Sequence, residues 1–133
     1  MKDILTILID TNVLMHINEY NMNLEDSISE LISRKFEIAV HPMVVDEVIT
    51  KLKSKGKEKR QAKFALQLMK MLKTLEDENT YTGTDTALLT FAKEQVCVVL
   101  TFDKILKERC RKEGIATLSL GKWDRMQLEG YVS

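Results

Sequence analysis

Four acidic residues lie where their carboxylates could hold a divalent cation. They are Asp10, Glu47, Asp85 and Asp103. Two carboxylates about 5 Å apart repel each other by roughly 3 kcal/mol at an effective dielectric constant of about 20. A hard cation such as Mg²⁺ or Mn²⁺ removes this repulsion, and carboxylate and water oxygens are the ligands that these ions prefer. No His or Cys belongs to the pattern, which makes zinc a poor candidate.

The segments between these acids have the patterns of alternating strands and helices. Short, mostly apolar runs, typical of strands buried on both faces of a parallel sheet, occur at residues 4–9, 36–40, 96–100 and 115–120, with a turn or short strand at 80–82. Helical spacing predicts helices at about 12–19, 24–33, 58–75, 85–94 and 104–112, and another from Pro42 onward. The alternation predicts one α/β domain over residues 1–133, with its core at about 4–120 and a C-terminal tail at 121–133.

In such a domain the acids all lie near one edge of the sheet. Ligands of open α/β sheets bind beyond the carboxyl ends of the strands, so we expect the four carboxylates to converge there. Taken singly, each Asp also fits a helix N-cap, worth about 1 kcal/mol. Glu47 singly fits a solvated helix face, and Asp46 is an alternative ligand beside it. Capping does not explain why all four junctions on one edge carry an acid.

Composition excludes several classes of protein. The 133 residues are 44% hydrophobic and 30% charged, with five Gly and one Pro, which argues against a disordered or fibrous chain. The formal net charge is zero, so a polyanion must be held by a local patch or by a metal. The longest apolar run is far below the roughly 18 residues of a membrane span, and residues 1–3 lead into it with no signal-peptide pattern. Two Cys without a metal-binding pattern fit a reducing cytoplasm.

Four short segments carry a resemblance to a known family. They are Leu8-Ile9-Asp10-Thr11-Asn12-Val13-Leu14, Val44-Val45-Asp46-Glu47-Val48, Gly83-Thr84-Asp85-Thr86-Ala87-Leu88-Leu89 and Val98-Val99-Leu100-Thr101-Phe102-Asp103-Lys104-Ile105-Leu106. In this order, from residue 4 to about 120, they resemble the PIN-domain family of metal-dependent ribonucleases. The resemblance implies a Rossmann-like fold, with a central parallel sheet of four to five strands and helices on both faces. It also implies an acidic pocket that binds Mg²⁺ or Mn²⁺, and endonucleolytic cleavage of RNA, with the four acids in the family's four acidic places.

The implied reaction is hydrolysis of a phosphodiester by a metal-activated water. Asp10 and Asp103 are expected to bind the metal directly, because both lie on rigid backbone at strand ends. Asp85 completes the set directly or through water, and Glu47 binds a second cation or positions the nucleophile. Thr101 takes the place of the family's Thr or Ser. It hydrogen-bonds the attacking water or a carboxylate, or it is an ordinary threonine at a strand end.

A basic segment provides a candidate RNA contact. It comprises Lys51, Lys53, Lys55, Lys57, Lys59, Arg60 and Lys63, and Lys104 beside Asp103 is a further candidate. Phosphate contacts by these side chains would give affinity that depends on salt rather than on base sequence. The alternative is a solvated loop and helix start without a partner. Aromatic residues are only 6% of the chain, so base stacking is not indicated.

The resemblance leaves the biological setting open. It implies a homodimer and either an antitoxin partner, as in toxin–antitoxin pairs, or a protein of a ribosomal-RNA-processing complex. The main alternative function is a catalytically inactive PIN-like module that binds RNA or protein. A phosphate-receiver domain fits less well, because Asp10 has no adjacent acid, and no glycine-rich phosphate loop occurs.

Overall fold

Strands and helices alternate along most of the chain. The computed structural model describes residues 3–132. The predicted domain, residues 1–133, also includes Met1, Lys2 and Ser133, which lie outside the described residues. The strands are β1 (Leu5–Ile9), β2 (Phe36–Val40), β3 (Lys73–Thr74), β4 (Val98–Leu100), β5 (Thr117–Leu120) and β6 (Met126–Glu129). The α-helices are α1 (Thr11–His16), α2 (Leu24–Leu31), α3 (Pro42–Lys51), α4 (Gly56–Met69), α5 (Thr84–Gln95) and α6 (Lys104–Lys112), with 3₁₀ turns at Ile17–Glu19 and Lys122–Asp124.

The strands form one sheet in the order β3-β2-β1-β4-β5-β6. All neighbouring pairs are parallel except β5 and β6. In the centre, Ile7 of β1 lies opposite Ile38 of β2 and Val98 of β4. Every residue of β1 is buried, and because successive side chains point to opposite faces, both faces of the sheet are covered. The predicted α/β class with a central sheet is confirmed, but over residues 3–132 the sheet has six strands instead of the predicted four to five, and one of its pairs is antiparallel.

The strand order creates a crevice at the carboxyl edge of the sheet. The chain runs outward from β1 through β2 to β3, and then returns to the other side of β1 to form β4 and β5. The order therefore reverses between β1 and β4, and such a switch point is where open α/β sheets bind their ligands. Asp10 follows β1, and Thr101 follows β4, so both lie at this point.

The sequence allowed a turn or a short third strand at residues 80–82, and the strand alternative is wrong. Residues 80–82 belong to a loop, and β3 instead pairs Lys73 and Thr74 with the end of β2. The helix predicted to reach residue 75 accordingly ends at Met69. Its apolar spacing continues beyond 69, but the chain leaves the helix to hydrogen-bond with the sheet edge. Since β3 has only two residues, both exposed, it shows no strand pattern in the sequence.

The C-terminal tail adds an antiparallel edge strand that the sequence pattern does not predict. Residues 126–129 of β6 pair with β5, and Met126 and Leu128 pack against the core. Gly130 permits a close approach at the end of this strand. Its φ is +94°, and a Cβ at this position would lie 2.8 Å from the Ala116 Cα atom. Among residues 3–132, no helix has the length and apolar character that crossing a membrane requires.

Candidate active site

The predicted acids line one cavity at the switch point of the sheet. The cavity has a volume of about 280 Å³. Its lining residues are Asp10, Thr11, Asn12, Met15, His16, Glu47, Lys51, Glu58, Gln61, Asp85 and Asp103. All four carboxylates predicted from the sequence are therefore present, and they come from the start of α1, the second turn of α3, the start of α5 and the start of α6.

Asp10 is the most buried acid of the cavity, with 5% of its surface exposed. Its Oδ1 accepts a hydrogen bond from the Thr11 amide at 2.8 Å, which caps α1. Its Oδ2 accepts a hydrogen bond from the Thr101 hydroxyl at 2.7 Å. The same Thr101 oxygen accepts from the Asp103 amide at 3.0 Å. Thr101 is fully buried and joins Asp10 to the backbone of Asp103. Of the contacts expected for its hydroxyl, the one with a carboxylate is observed.

Asp103 caps helix α6 with one of its two oxygens. Its Oδ1 accepts from the amides of Ile105 and Leu106 at 2.8 and 3.3 Å. Asn12 fixes the same loop from the opposite side, because its Oδ1 accepts from the Phe102 amide at 3.3 Å. The capping interpretation is thus correct for Asp10 and Asp103, and it does not prevent either carboxylate from lining the cavity.

Glu47, rather than its neighbour Asp46, reaches the cavity. Glu47 is half-buried, and its Oε1 accepts from the Thr11 hydroxyl at 2.6 Å. Asp46 is exposed and does not line the cavity. The difference follows from helix geometry, since adjacent residues of α3 point about 100° apart and only one of them can face the sheet edge.

Asp85 is the second residue of α5 and does not cap it. The N-cap residue is Gly83, which has no side chain that could cap the helix. The alternative explanation of Asp85 as an N-cap is therefore wrong. A loop, and not the predicted strand, leads from residue 75 into α5. Arg109 of α6 attracts Asp85 and is itself exposed, with its Nη2 3.5 Å from the Thr86 hydroxyl.

The carboxylates repel one another within the cavity. Burial raises the pKa of Asp10 to about 6; the hydrogen bonds from Thr101 and Thr11 act in the opposite direction, and repulsion from Asp85 and Glu47 adds to the rise. Burial and repulsion from Asp103 and Glu47 also raise the pKa of Asp85, against the attraction of Arg109. Among residues 3–132, no Lys or Arg side chain is buried to neutralise this charge.

The oxygen donors suit a hard cation, but they do not form a closed cage. Within the described part of the chain, no three His, Cys, Asp or Glu side chains stand close enough together to hold a metal ion by themselves. Mg²⁺ usually keeps several waters and takes only one or two carboxylates directly, so widely spaced carboxylates fit its chemistry. Such a cation would offset the repulsion among these carboxylates and would lower the raised pKa of Asp10.

The predicted basic segment begins at the rim of the cavity. Lys51 lines the cavity and lies 3.9 Å from Glu58. Only residues 52–55 form a link between helices, because α4 already begins at Gly56. The remaining candidates in this segment are exposed: Lys53, Lys55, Lys57, Lys59, Arg60 and Lys63. Lys57 lies 3.6 Å from Glu19. Lys104 is exposed at the start of α6 and does not line the cavity.

Besides Thr11, Asn12 and Met15 of α1, three polar side chains line the cavity without having been predicted as site residues. Glu58 and Gln61 come from α4, and His16 comes from the end of α1. The Gln61 amide lies 3.2 Å from His16 Nδ1 and donates to Glu19 at 3.1 Å. Glu58 is the single acidic residue among the basic residues of segment 51–63, and this was the signal in the sequence that could have indicated a role for it. The packing of α4 on α1, which brings these residues to the site, follows only from the tertiary structure.

The fold and the acidic crevice place the chain among the PIN-like α/β proteins, and comparison with known proteins agrees. A family model described as "PIN like domain" matches residues 7–122. Ribonuclease VapC4 of Methanocaldococcus jannaschii is 32% identical over 127 residues, which cover 92% of this chain and 95% of that protein. Ribonuclease VapC9 of Archaeoglobus fulgidus is 32% identical over 109 residues, 80% and 76% of the two chains. The chain belongs to the PIN-like domain family.

Solved structures show the same fold. The structure of the PIN domain endonuclease Utp24 is similar with a TM-score of 0.72 and 23% identity, covering 96% of this chain and 93% of that chain. A domain of a functionally unknown protein from Methanocaldococcus jannaschii is similar with a TM-score of 0.65 and 16% identity, covering 96% and 99%. The resemblance read from the four sequence segments is thereby confirmed.

Proposed function

We propose that the protein is a nuclease, and more specifically a metal-dependent endoribonuclease that hydrolyses RNA phosphodiester bonds. One observation carries the proposal. Four carboxylates from four separate elements line a single cavity at the switch point of the sheet, in a chain whose relatives are named ribonucleases. Lys51 of the cavity lining and the exposed Arg109 offset only part of the charge of these acids, so an external cation is the natural further counter-charge.

Each acid has a distinct part in this proposal. Asp10 and Asp103 would hold Mg²⁺ or Mn²⁺ from backbone at the strand ends, and Asp85 would complete the set directly or through water. Glu47 would hold a second cation or orient the nucleophile. The ion, when bound, supplies a water of lowered pKa and positive charge at the phosphoryl oxygens. Thr101 keeps Asp10 oriented through its hydroxyl, and this contact restrains the pKa of Asp10.

The basic segment provides the complementary part for a polyanion. Lys51 lines the cavity, and the lysines that follow it, on the 52–55 link and on the first turns of α4, are exposed. They would bind phosphates of the RNA on either side of the scissile bond, while the acids and the cation act at the bond itself.

The predicted homodimer, the cytoplasmic location, and the antitoxin or processing-complex partner remain predictions at this point.

The test is cleavage of a circular single-stranded RNA by the purified chain with Mn²⁺ or Mg²⁺. A circle has no ends, so its linearisation reports internal cleavage only. We expect cleavage by the wild type, its loss with EDTA, and its loss in Asp10→Asn and Asp103→Asn. Asp46→Asn is the matched control, since this exposed acid lies beside Glu47 but outside the cavity, and it should remain active.

Two outcomes would overturn the proposal. Equal cleavage by the wild type and by both cavity variants would indicate a contaminating nuclease. No cleavage under any condition, combined with metal-independent RNA binding by the same preparation, would favour the alternative of a catalytically inactive binding module.

A further inference from the structure

A buried histidine joins two of the elements that carry the candidate acids. His41 lies between β2 and α3, and only 1% of its surface is exposed. It does not line the acidic cavity. Its Nδ1 accepts a hydrogen bond from the Met43 amide at 3.1 Å, and this contact caps α3. A backbone N–H can only donate, so Nδ1 carries no proton and Nε2 is the donor of the ring.

The donor side of His41 is directed at an aspartate of the loop that follows β3. Nε2 lies 2.9 Å from Asp77 Oδ2, and the Tyr81 hydroxyl donates to the same oxygen at 2.6 Å. The Asn79 amide donates to Asp77 Oδ1 at 3.1 Å. The Asp77 side chain is only 5% exposed. Burial raises the pKa of Asp77, but these three hydrogen bonds outweigh it and hold the pKa at about 2, so the carboxylate stays ionised.

The loop organised in this way leads directly into α5. Tyr81 lies four residues before Asp85. The N-cap residue of α5 is Gly83, so no side chain caps the start of this helix. Two aromatic rings pack edge-on against His41 at centroid distances of 5.7 Å, Tyr81 from the loop and Phe91 from α5 itself. His41 therefore contacts both the loop before α5 and, through Phe91, the helix itself.

We propose that His41 is a positioning residue that holds Asp85 in register with Glu47, by joining the start of α3 to the loop that leads into α5. Glu47 lies six residues after His41 on α3, and the two acids line the same cavity. The inference rests on the proposed function, because it concerns side chains that would hold the cation. Groups that hydrogen-bond directly to metal ligands typically change metal affinity or activity by about 10–100-fold when they are removed. His41 acts one step further away, through the loop, so we expect an effect at the lower end of this range.

Two substitutions separate the two roles of the imidazole. His41→Asn keeps an oxygen acceptor for the Met43 amide, and Asn is a good N-cap, but the side chain is too short to reach Asp77. His41→Gln extends an amide N–H toward Asp77 and gives up the cap. Tyr81→Phe is a milder variant that removes one hydrogen bond to Asp77 and keeps the ring. All three are compared with wild type below the unfolding temperature of the least stable protein.

Mn²⁺ affinity by calorimetry and amide hydrogen exchange are the readouts, with kcat and KM on RNA as a third. We expect His41→Asn to weaken Mn²⁺ binding by about 10-fold, the lower end of the range for direct partners of metal ligands, and to lower kcat with little change in KM. Exchange should accelerate at residues 79–87 while α3 stays protected. Tyr81→Phe should change the same quantities less, and His41→Gln should retain Mn²⁺ affinity close to wild type.

The outcomes distinguish this inference from the proposed function. Unchanged Mn²⁺ affinity and unchanged exchange at 79–87 in both His41→Asn and Tyr81→Phe would overturn the inference while the wild type still cleaves RNA. Equal losses in His41→Asn and His41→Gln would also overturn it, since they would indicate general destabilisation. If the wild type itself neither binds Mn²⁺ nor cleaves RNA, the proposed function fails, and the exchange rates alone decide whether His41 positions the start of α5.

Discussion

At the scale of single residues, Asp10 combines a structural and a chemical role that oppose each other. Its carboxylate caps α1, yet burial raises its pKa from 3.8 to about 6, with repulsion from Asp85 and Glu47 adding to the effect. Between these two values the folded chain holds a proton that the unfolded chain has lost. The free energy of unfolding therefore falls as pH rises through this window, by about 3 kcal/mol in total.

We predict that Asp10→Asn stabilises the metal-free protein above pH 6, by about 2 kcal/mol, while it abolishes cleavage. Asn is an equally good N-cap, so its single oxygen can keep the contact with the Thr11 amide, while the Thr101 hydroxyl loses its acceptor. The loss of this one hydrogen bond offsets part of the gain from removing the buried charge. Urea unfolding in EDTA at a series of pH values between 4 and 8 measures the effect. A difference between the two proteins that does not depend on pH would contradict the prediction, and Asp46→Asn should behave as wild type.

We predict that Thr101→Val shifts the acidic limb of the pH–rate profile to higher pH, because the Thr101 hydroxyl lowers the pKa of Asp10 and its removal lets that pKa rise. The Asp103 amide also loses its acceptor, so stability should fall by about 1–3 kcal/mol. Thr101→Ser retains the hydroxyl and should keep the wild-type profile. A parallel loss of rate at every pH in Thr101→Val, with no shift, would argue against this role.

At the scale of an element, the end of α5 carries a strained residue. Val96 has φ +55° and ψ +60°, the left-handed conformation, and 79% of its surface is exposed. β-Branched residues are unfavourable there, whereas Asn is tolerated. We predict that Val96→Asn stabilises the protein by about 1 kcal/mol, measured by thermal or urea unfolding. Ile105→Asn, an exposed apolar residue in right-handed helix, is the control and should not stabilise.

At the scale of the whole molecule, zero net charge conceals a separation of charge. Acidic side chains line the cavity, and exposed basic side chains begin at its rim. A polyanion bound across this boundary would meet attraction from the lysines and repulsion from the acids. A cation at the acids would remove the repulsion, so metal and RNA are expected to bind cooperatively.

We predict that replacing three exposed lysines of the basic segment by Ala raises KM for RNA and flattens its salt dependence. The three are Lys53, Lys55 and Lys59. For single strands, each phosphate that the variant no longer binds should reduce the slope of log affinity against log salt by about 0.7. The control triple variant, at exposed lysines elsewhere, changes Lys35, Lys70 and Lys112. Equal effects of the two triple variants would show that only overall charge matters.

The sequence pattern predicted the elements that have strong local signals. β1 and β4 were recognisable because every residue is buried and all except Thr6 are apolar. α6 was recognisable because Asp103 caps it and Gly114, with φ +72°, terminates it. β3 and β6 were not predicted. Both are short edge strands whose side chains are exposed or half-buried, so hydrogen bonding to a neighbouring strand, and not hydrophobic pattern, determines them.

For the candidate site, the sequence by itself determined Asp10, Asp85 and Asp103 and their order, and it favoured Glu47 with Asp46 as the alternative, because each stands at a junction whose flanking apolar pattern is local. Only the tertiary structure decided that Glu47 and not Asp46 faces the cavity, that Glu58 joins it from α4, and that His41 meets Asp77. The hydrogen bonds of Glu47 with Thr11 and of His41 with Asp77 each join residues 36 positions apart in the chain. Helix packing and strand order bring such residues together, and neither is encoded by the spacing of nearby residues.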